Sequence, residues 1–325
     1  MKPDATAWLS LLLVQFLFGG LPVISKFVIA EVSPEVVVLC RSFTATLVFA
    51  LLVTWRRRRS PESNKRRGHK GLRTHFALLG LAALGVSFNQ TILFHGLQRT
   101  TSAAAAILAP MISVFALLIS LSFRREAFTW PKLANIALGS AGVGLLFAGT
   151  LSDTLTEAAA LGNLMCLASA FCYASYLALS PPLIARMGSL EFSLAVFLYA
   201  SALNVVLFFA LTGMPPQGIP AALLETLPRL STTFWWALGY LVFGATVVTY
   251  LLNAYALSAL SPGIVGGFVC TQTIIGVGLS HALLSEPFPP EHAVAMALVV
   301  LGVLCLWIPE WRKRARLRAR VGPGL

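Results

Sequence analysis

The sequence predicts an all-α integral membrane protein with ten transmembrane helices, arranged as two inverted repeats of five helices. The first indication is composition, because 57% of the 325 residues are hydrophobic and only 11% are charged, whereas soluble domains contain about 25% charged residues. The mean hydropathy of +0.81 agrees with this class. The other two indications are the lengths of the apolar stretches and a similarity between the two halves of the chain.

Ten apolar stretches are long enough to cross the hydrocarbon core of a bilayer, which takes about 20 helical residues. The first has no small-residue cleavage site after it and is followed directly by the second, so we interpret it as a membrane span and not as a signal peptide. The predicted spans are residues 8–30, 34–55, 74–96, 100–122, 131–149, 158–180, 190–213, 234–258, 263–284 and 290–309.

The basic residues predict the orientation of these spans. With the N-terminus in the cytoplasm, 20 of the 24 Lys and Arg residues fall in cytoplasmic segments, chiefly residues 56–73 and 312–320, and the outer loops contain only Arg99 and Arg229. Lys and Arg near span ends are retained on the cytoplasmic side, so we expect an inner (plasma) membrane protein with both termini in the cytoplasm. The net charge of +12 is therefore interpreted as a topology signal beside anionic lipid, and we expect no nucleic-acid partner.

The two halves of the chain are similar when they are aligned with an offset of 160 residues. The aligned pairs include Glu126 with Glu286, Phe128 with Phe288, Ala137 with Ala297, Leu138 with Leu298, Gly142 with Gly302 and Val143 with Val303. Each repeat would contain five spans, an odd number, so the second repeat would enter the membrane from the opposite side. Inverted repeats of this kind are typical of alternating-access carriers with a site at the midplane. We divide the chain into a first repeat (1–150), a second repeat (151–310) and a basic cytoplasmic tail (311–325).

Several short motifs resemble the drug/metabolite transporter superfamily, in its ten-span branch with two EamA domains. In the first half they are Phe18-Gly19, Lys26, Ser33-Pro34, Arg41, the run from Thr101 to Ala106, Pro110, Glu126 and Gly142-Val143. In the second half they are Tyr173-Ala174, the run from Asn253 to Leu257, Ser261-Pro262, Glu286-Pro287 and Gly302-Val303. The ninth span departs from the family pattern, because Cys270-Thr271-Gln272 stands where the family usually has a proline. The resemblance implies a carrier of amino acids, metabolites, nucleotide precursors or drugs, with a central cavity lined mainly by spans 1, 3, 4, 6, 8 and 9.

Polar residues near the middle of these spans are candidates for binding the solute, because a polar group in lipid needs a partner or a water-filled cavity. The alternative is that they join helices by hydrogen bonds worth about 0.6 to 2 kcal/mol. Tyr173 and Tyr176 are three residues apart, as are Tyr250 and Asn253, which places each pair on one helix face. The predicted substrate-binding residues are Gln15, Asn89, Gln90, Tyr173, Tyr176, Tyr250, Asn253 and Gln272.

Charged residues within or beside the spans need separate interpretations. Arg41 lies deep in the second span, where an unpaired Arg costs about 3 kcal/mol on insertion scales. We therefore expect a carbonyl or carboxylate partner, from Glu31, Glu35 or the opposing repeat. We favour a structural ion pair, and binding of a substrate carboxylate is the alternative. Glu126 and Glu286 lie at span junctions, where each could accept hydrogen bonds from the free N–H groups of the following helix.

An integral membrane enzyme and a channel or sensor are the competing functional classes. The sequence contains no H-E-x-x-H or G-x-S-x-G motif, and neither its five His nor its five Cys residues have a metal-ligand spacing. We therefore expect neither an enzyme nor a cofactor. A single chain with inverted halves fits a carrier better than a channel, which usually has a ring of subunits or a selectivity filter. The expected partners are a small-molecule substrate and the lipid bilayer, and the carrier could be a monomer or a homodimer.

Overall fold

The computed structural model describes residues 5–59, 71–123, 129–148, 156–215, 227–260 and 268–305. Within these residues all regular structure is helical. A long helix occupies each of the ten predicted stretches, and we number these helices α1 to α10. Their bounds are Ala5–Ile29 (α1), Pro34–Arg59 (α2), Leu72–Leu97 (α3), Ser102–Ser122 (α4), Trp130–Ala148 (α5), Glu157–Leu179 (α6), Ser189–Thr212 (α7), Thr232–Ser258 (α8), Cys270–Leu284 (α9) and Pro290–Cys305 (α10).

Seven of the described helices, α1 to α4 and α6 to α8, are long and apolar enough to cross a membrane. Helices α5, α9 and α10 do not combine the same length and hydropathy within the described residues, so membrane crossing by these three stays a prediction. Residues 263–267 and 306–309 of the ninth and tenth predicted spans, Glu126 and the tail 311–325 lie outside the described residues.

Most helix bounds differ from the predicted ones by a few residues, and two differences have a clear physical reason. Helix α2 continues four residues beyond the apolar stretch through Arg56 to Arg59, because Arg is a good helix former and helix formation does not stop where hydrophobicity does. A short helix, Pro181–Met187, separates α6 from α7 and was not predicted. It begins with proline at its first position, where the missing N–H is harmless, and it ends at Gly188, whose φ of 85° suits glycine.

Many large apolar side chains are exposed on the surface, and many polar side chains are buried in the interior beside the apolar core. Leu9, Leu47 and Val206 are 60% or more exposed, whereas Gln15 and Arg41 are each 1% exposed. An exposed apolar surface of this extent is stable when lipid covers it. The fold is therefore that of a multi-pass membrane protein with polar residues buried among its helices.

Helices α5 and α10 pack closely and in a symmetric way. A Cβ on Gly142 would lie 2.6 Å from Val299, 2.8 Å from the Ala295 carbonyl and 3.5 Å from Leu298. A Cβ on Gly302 would meet Asn135, Leu138 and Gly139 at 3.1, 3.1 and 3.4 Å. Asn135, Leu138 and Gly139 lie 160 positions before Ala295, Leu298 and Val299, just as Gly142 lies 160 positions before Gly302. The offset seen in the sequence is therefore repeated in the contacts between these two helices.

Candidate functional site

A central cavity lies between the helices of the two halves. The empty space within and in front of it, including open solvent at its mouth, is about 680 Å³, and small-molecule sites are commonly concave and mostly apolar with a few polar groups. Five of the eight predicted substrate-binding residues line it: Asn89, Gln90, Tyr173, Tyr250 and Gln272. The other lining residues are Phe18, Leu21, Pro22, Arg41, Leu93, Ala105, Ala109, Ile112, Cys166, Ser169 and Ala170.

Gln15, Tyr176 and Asn253, the other three predicted residues, are buried but are not part of the lining. Gln15 accepts a hydrogen bond of 2.5 Å from the Gln272 side-chain amide. Asn253 donates to the Tyr173 hydroxyl at 3.0 Å. These side chains therefore form a second layer that holds the lining residues in place.

Asn89 joins α3 to α6 beside the cavity. Its amide nitrogen donates to the carbonyl and to the hydroxyl oxygen of Ser169, both at 2.9 Å. Ser169 was not among the predicted residues, because a serine among small residues in an apolar helix gives no distinctive signal. These hydrogen bonds engage the Asn89 amide nitrogen, and the residue lines the cavity.

Aromatic rings form one wall of the cavity. Phe18 makes edge contacts with Tyr173 and Tyr250, at centroid distances of 5.9 and 6.2 Å. Tyr176 stacks on Tyr173 from behind at 5.7 Å. Phe18 was predicted only as part of the Phe18-Gly19 motif, since a phenylalanine in a membrane span usually faces lipid. Rings in these geometries supply apolar contact area and fixed orientation for a bound molecule.

Helix α3 contains a π-helical turn, Ala83–Ser87, next to the cavity. A π turn leaves a backbone carbonyl free of its usual helical partner, and such turns occur often at functional sites. Here the Gly85 carbonyl accepts a hydrogen bond of 2.5 Å from the Tyr250 hydroxyl of α8. Gln90 donates weakly to the same hydroxyl, at 3.5 Å.

A second π-helical segment, Tyr240–Val248, lies in α8. Its Ala245 carbonyl, 160 positions beyond Gly85, accepts a hydrogen bond of 3.1 Å from the Arg41 side chain of α2. Equivalent carbonyls in the two halves are therefore both bound by a side chain from the other half. Neither π segment was predicted, because the hydrophobic pattern of a π turn does not differ from that of an α-helix over so few residues.

Helix α4 is interrupted beside the cavity at Ala109 and Pro110, between its segments Ser102–Leu108 and Met111–Ser122. Proline has no N–H to donate to the preceding turn, which accounts for the interruption. Ala109 lines the cavity at this point.

Arg41 lines the cavity and does not form the ion pair that we favoured from the sequence. Its Nε donates to the Thr246 hydroxyl at 2.8 Å and its Nη2 to the Ala245 carbonyl at 3.1 Å. Phe94 lies 5.2 Å from the guanidinium carbon, within cation–π range. The expectation of a carbonyl partner from the opposing repeat is correct. The expectation of an ion pair is wrong within the described residues, since Glu35 pairs with His95 at 2.7 Å and Glu31 binds Ser231.

Glu286 closes one end of the bundle. Its carboxylate accepts hydrogen bonds from the backbone N–H groups of Ser102 and Ala103, at 3.0 and 2.9 Å, and from the Ser280 hydroxyl. Burial opposes ionisation of this carboxyl group, but the hydrogen bonds outweigh it and hold its pKa below the ordinary value. We expected Glu286 to cap the following helix, α10, and instead it caps α4 of the other half.

Lys26 lies at the same end of the bundle. Its ammonium group donates to the carbonyls of Leu97 and Thr100, the second at 2.6 Å. Cations are favourable near the C-terminus of a helix, where carbonyl groups have no helical partner. Lys26 therefore ties the end of α1 to the end of α3.

Comparison with known proteins places this arrangement in a family. The chain is 24% identical to the uncharacterised transporter YetK of Bacillus subtilis (strain 168), over 93% of this chain and 87% of that protein. It is 28% identical to an S-adenosylmethionine/S-adenosylhomocysteine transporter of Chlamydia trachomatis serovar L2, over 72% of this chain and 70% of that protein. One solved crystal structure shares the fold with a TM-score of 0.64 at 17% sequence identity, covering 95% of this chain and 99% of the solved one.

The family model described as the EamA-like transporter family matches the chain twice, over residues 5–148 and 160–308. The two matches nearly coincide with the two halves inferred from the sequence offset. Together they include most of the chain, with the cavity-lining residues of both halves inside them. The chain is therefore a member of the EamA-like transporter family, a multi-pass membrane protein of the small-solute transporter class.

Proposed function

We propose that the protein is a secondary carrier that moves small organic solutes, amino acids or related metabolites, across the membrane by alternating access, including in the direction of export. The observation that carries this proposal is a polar and aromatic cavity whose lining comes from both halves of the chain, with Arg41 and Gln90 from the first and Tyr173 and Gln272 from the second. A cavity between two halves can open to either side when the halves rock against each other.

Two features support an inverted repeat as the basis of this motion. The α5–α10 contacts around Gly142 and Gly302 have the same 160-residue offset as the sequence similarity. The π-helical segments of α3 and α8 also correspond, because Gly85 and Ala245 are 160 positions apart and both accept side-chain hydrogen bonds. In this proposal all ten helices cross the membrane, five in each repeat.

The proposed roles of the predicted site residues follow from their positions. Asn89, Gln90 and Gln272 offer hydrogen-bonding groups to the solute, and Tyr173 and Tyr250 offer ring surface. The second-layer residues Gln15, Tyr176 and Asn253 orient them. A solute with both polar and apolar parts fits such a lining best.

The proposed orientation has both termini in the cytoplasm of a cell whose inner (plasma) membrane contains the protein. It rests on the retention of basic residues on the cytoplasmic side. The end of the bundle that Lys26 and Glu286 close would then face outward.

The test is counterflow in liposomes that contain the purified full-length protein. The liposomes are preloaded with one unlabelled solute at a time from a panel of amino acids, nucleosides, polyamines and S-adenosylmethionine, the last because a relative is named for it. Uptake of the same labelled solute should be saturable and should be accelerated by the preloaded solute. Such acceleration requires a carrier whose binding site reorients across the membrane with solute bound.

The same assay separates the competing classes. A channel would give flux that does not saturate and is not accelerated by solute on the opposite side. An enzyme would convert a panel member chemically, which mass spectrometry of the recovered solutes would detect. The proposal fails if no panel member shows accelerated, saturable exchange above protein-free liposomes.

A further inference from the structure

Arg41 brings a positive charge to the cavity and has no carboxylate partner among the described residues. The side chain is 1% exposed, and its two hydrogen-bond acceptors, Thr246 and Ala245, are both neutral. The ion pairs in the described part of the chain join Arg56 to Glu191 and His95 to Glu35. A buried charge is normally paired or hydrogen-bonded at each of its polar atoms, so Arg41 departs from the usual pattern.

The unusual feature is one nitrogen of the Arg41 guanidinium group, Nη1. Nε and Nη2 are bound to α8, which fixes the plane of the guanidinium group, whereas Nη1 is buried with no hydrogen-bond partner in the described part of the chain. Gln90 has a corresponding unpaired acceptor, its side-chain oxygen. Among the described residues with buried, unpaired side-chain atoms, Arg41 and Gln90 are the two that line the cavity.

Other polar groups of the lining are already engaged. The Tyr250 hydroxyl donates to Gly85, the Asn89 amide nitrogen donates to Ser169, and the Gln272 amide nitrogen donates to Gln15. An unpaired buried donor or acceptor in a native structure calls for a partner that the chain itself does not supply. Here the unpaired atoms are a cationic donor and a neutral acceptor of residues in the same lining.

We infer that the transported solute is an organic carboxylate, whose carboxylate oxygen accepts a hydrogen bond from Arg41 Nη1 and whose own hydrogen-bond donor binds the side-chain oxygen of Gln90. Charge-assisted hydrogen bonds from arginine to carboxylate are short and about twice as strong as neutral ones. The fixed guanidinium plane would therefore select carboxylates over neutral solutes of the same shape. This inference rests on the proposed carrier function and specifies its substrate class.

The experiment compares acids with their amides in the counterflow assay and by equilibrium binding to the purified protein. The probes are L-phenylalanine with L-phenylalaninamide, L-methionine with L-methioninamide, and the carboxylate-free adenosine and spermidine. We expect every transported probe to carry a carboxylate and each amide to bind at least tenfold more weakly than its acid. Exchange of adenosine or spermidine, or equal binding of an acid and its amide, would overturn the inference and leave the carrier function standing. If no solute of the full panel is exchanged, both the carboxylate inference and the proposed carrier function fail.

Variants assign the effect to the guanidinium group. R41Q should lower binding of the acid at least tenfold and leave binding of the amide nearly unchanged, and R41K, which keeps the charge, should restore part of the preference for the acid. R99Q is the control, because Arg99 is exposed and bonds only to the His95 carbonyl at a helix end. A purely structural role would reduce acid and amide binding alike, which would contradict the inference. If R41Q does not elute as a folded species, the inference is judged by the ratio of acid to amide binding in the unmodified protein and in R41K.

Discussion

Gly96 of α3 and Gly162 of α6 lie back to back, so that a Cβ built on either one would be 2.9 Å from the carbonyl oxygen of the other. The two helices belong to different halves of the chain and carry the Asn89–Ser169 hydrogen bonds two turns away. Small residues at such crossings let helix backbones approach closely in a membrane.

Alanine at Gly96 or Gly162 should therefore destabilise the protein by about 1 to 3 kcal/mol, the usual cost of overpacking. Gly80→Ala is the matched control on α3, because a Cβ there would meet nothing within 4 Å. Alanine also has the higher helix propensity, by about 1 kcal/mol, so Gly80→Ala should be neutral or stabilising. Thermal unfolding in detergent measures all three, and equal melting temperatures would contradict the packing argument.

Asn89→Leu and Gln272→Leu should each lower transport at least tenfold while the protein still folds. Both residues line the cavity. If they served only to join helices, the loss would appear as reduced stability, about 0.6 to 2 kcal/mol for each hydrogen bond, with transport by the folded fraction preserved. Counterflow and melting temperature are to be measured on the same preparations, and normal transport by both variants would refute their proposed role.

Single cysteines at Gln98 and Arg186 should react with a membrane-impermeant thiol reagent from opposite sides of the membrane. Both positions are exposed, and they follow α3 and α6 at ends predicted to be outer and cytoplasmic respectively. The background must have its native cysteines replaced. In intact cells Gln98→Cys should be labelled and Arg186→Cys should not. Labelling of both would contradict the orientation derived from the basic residues.

The contribution of Glu286 to stability should depend on pH. Its pKa in the folded protein is below the ordinary 4.5, so its stabilising effect is fully present above pH 4.5 and is lost as the pH falls through the folded-state value. Glu286→Gln should therefore lower the melting temperature at pH 7, and the difference from the unmodified protein should shrink in acid. A difference that stays constant between pH 7 and pH 4 would show that the charge of Glu286 is not involved.

Transport should not be driven by protons through a carboxylate in the middle of a helix. Each acidic residue of the described helices lies in a first turn, as Glu35, Glu157, Glu191 and Glu291 do. Proton-coupled carriers commonly titrate a carboxylate within the membrane. The middle of α1 instead contains Gln15, whose amide does not titrate. An inward pH gradient at clamped voltage should leave the solute distribution across the liposome membrane unchanged. Proton movement in a fixed ratio to solute, abolished by replacing one Glu or Asp, would refute this.

Hydropathy by itself determined which segments are helical, because the formation of an apolar helix in lipid depends on local sequence and on the thickness of the bilayer. The helices lie where the apolar stretches predicted them, and the family match covers both inferred halves. Five of the eight predicted site residues line the cavity, because buried amides and tyrosines near the middle of a span are rare enough to be noticed.

Tertiary structure decided the partners of those residues. Arg41 binds Thr246, which is 205 positions away, and Glu286 caps a helix that begins 184 positions before it. Contacts at such separations depend on the order in which helices pack around the cavity, and hydropathy contains no information about that order. The π-helical segments belong to the same category, since their Gly85 and Ala245 carbonyls accept hydrogen bonds from side chains of other helices. The sequence by itself therefore determined the helices and the class of protein, whereas the unpaired charge in the cavity became visible only when the helices were packed together.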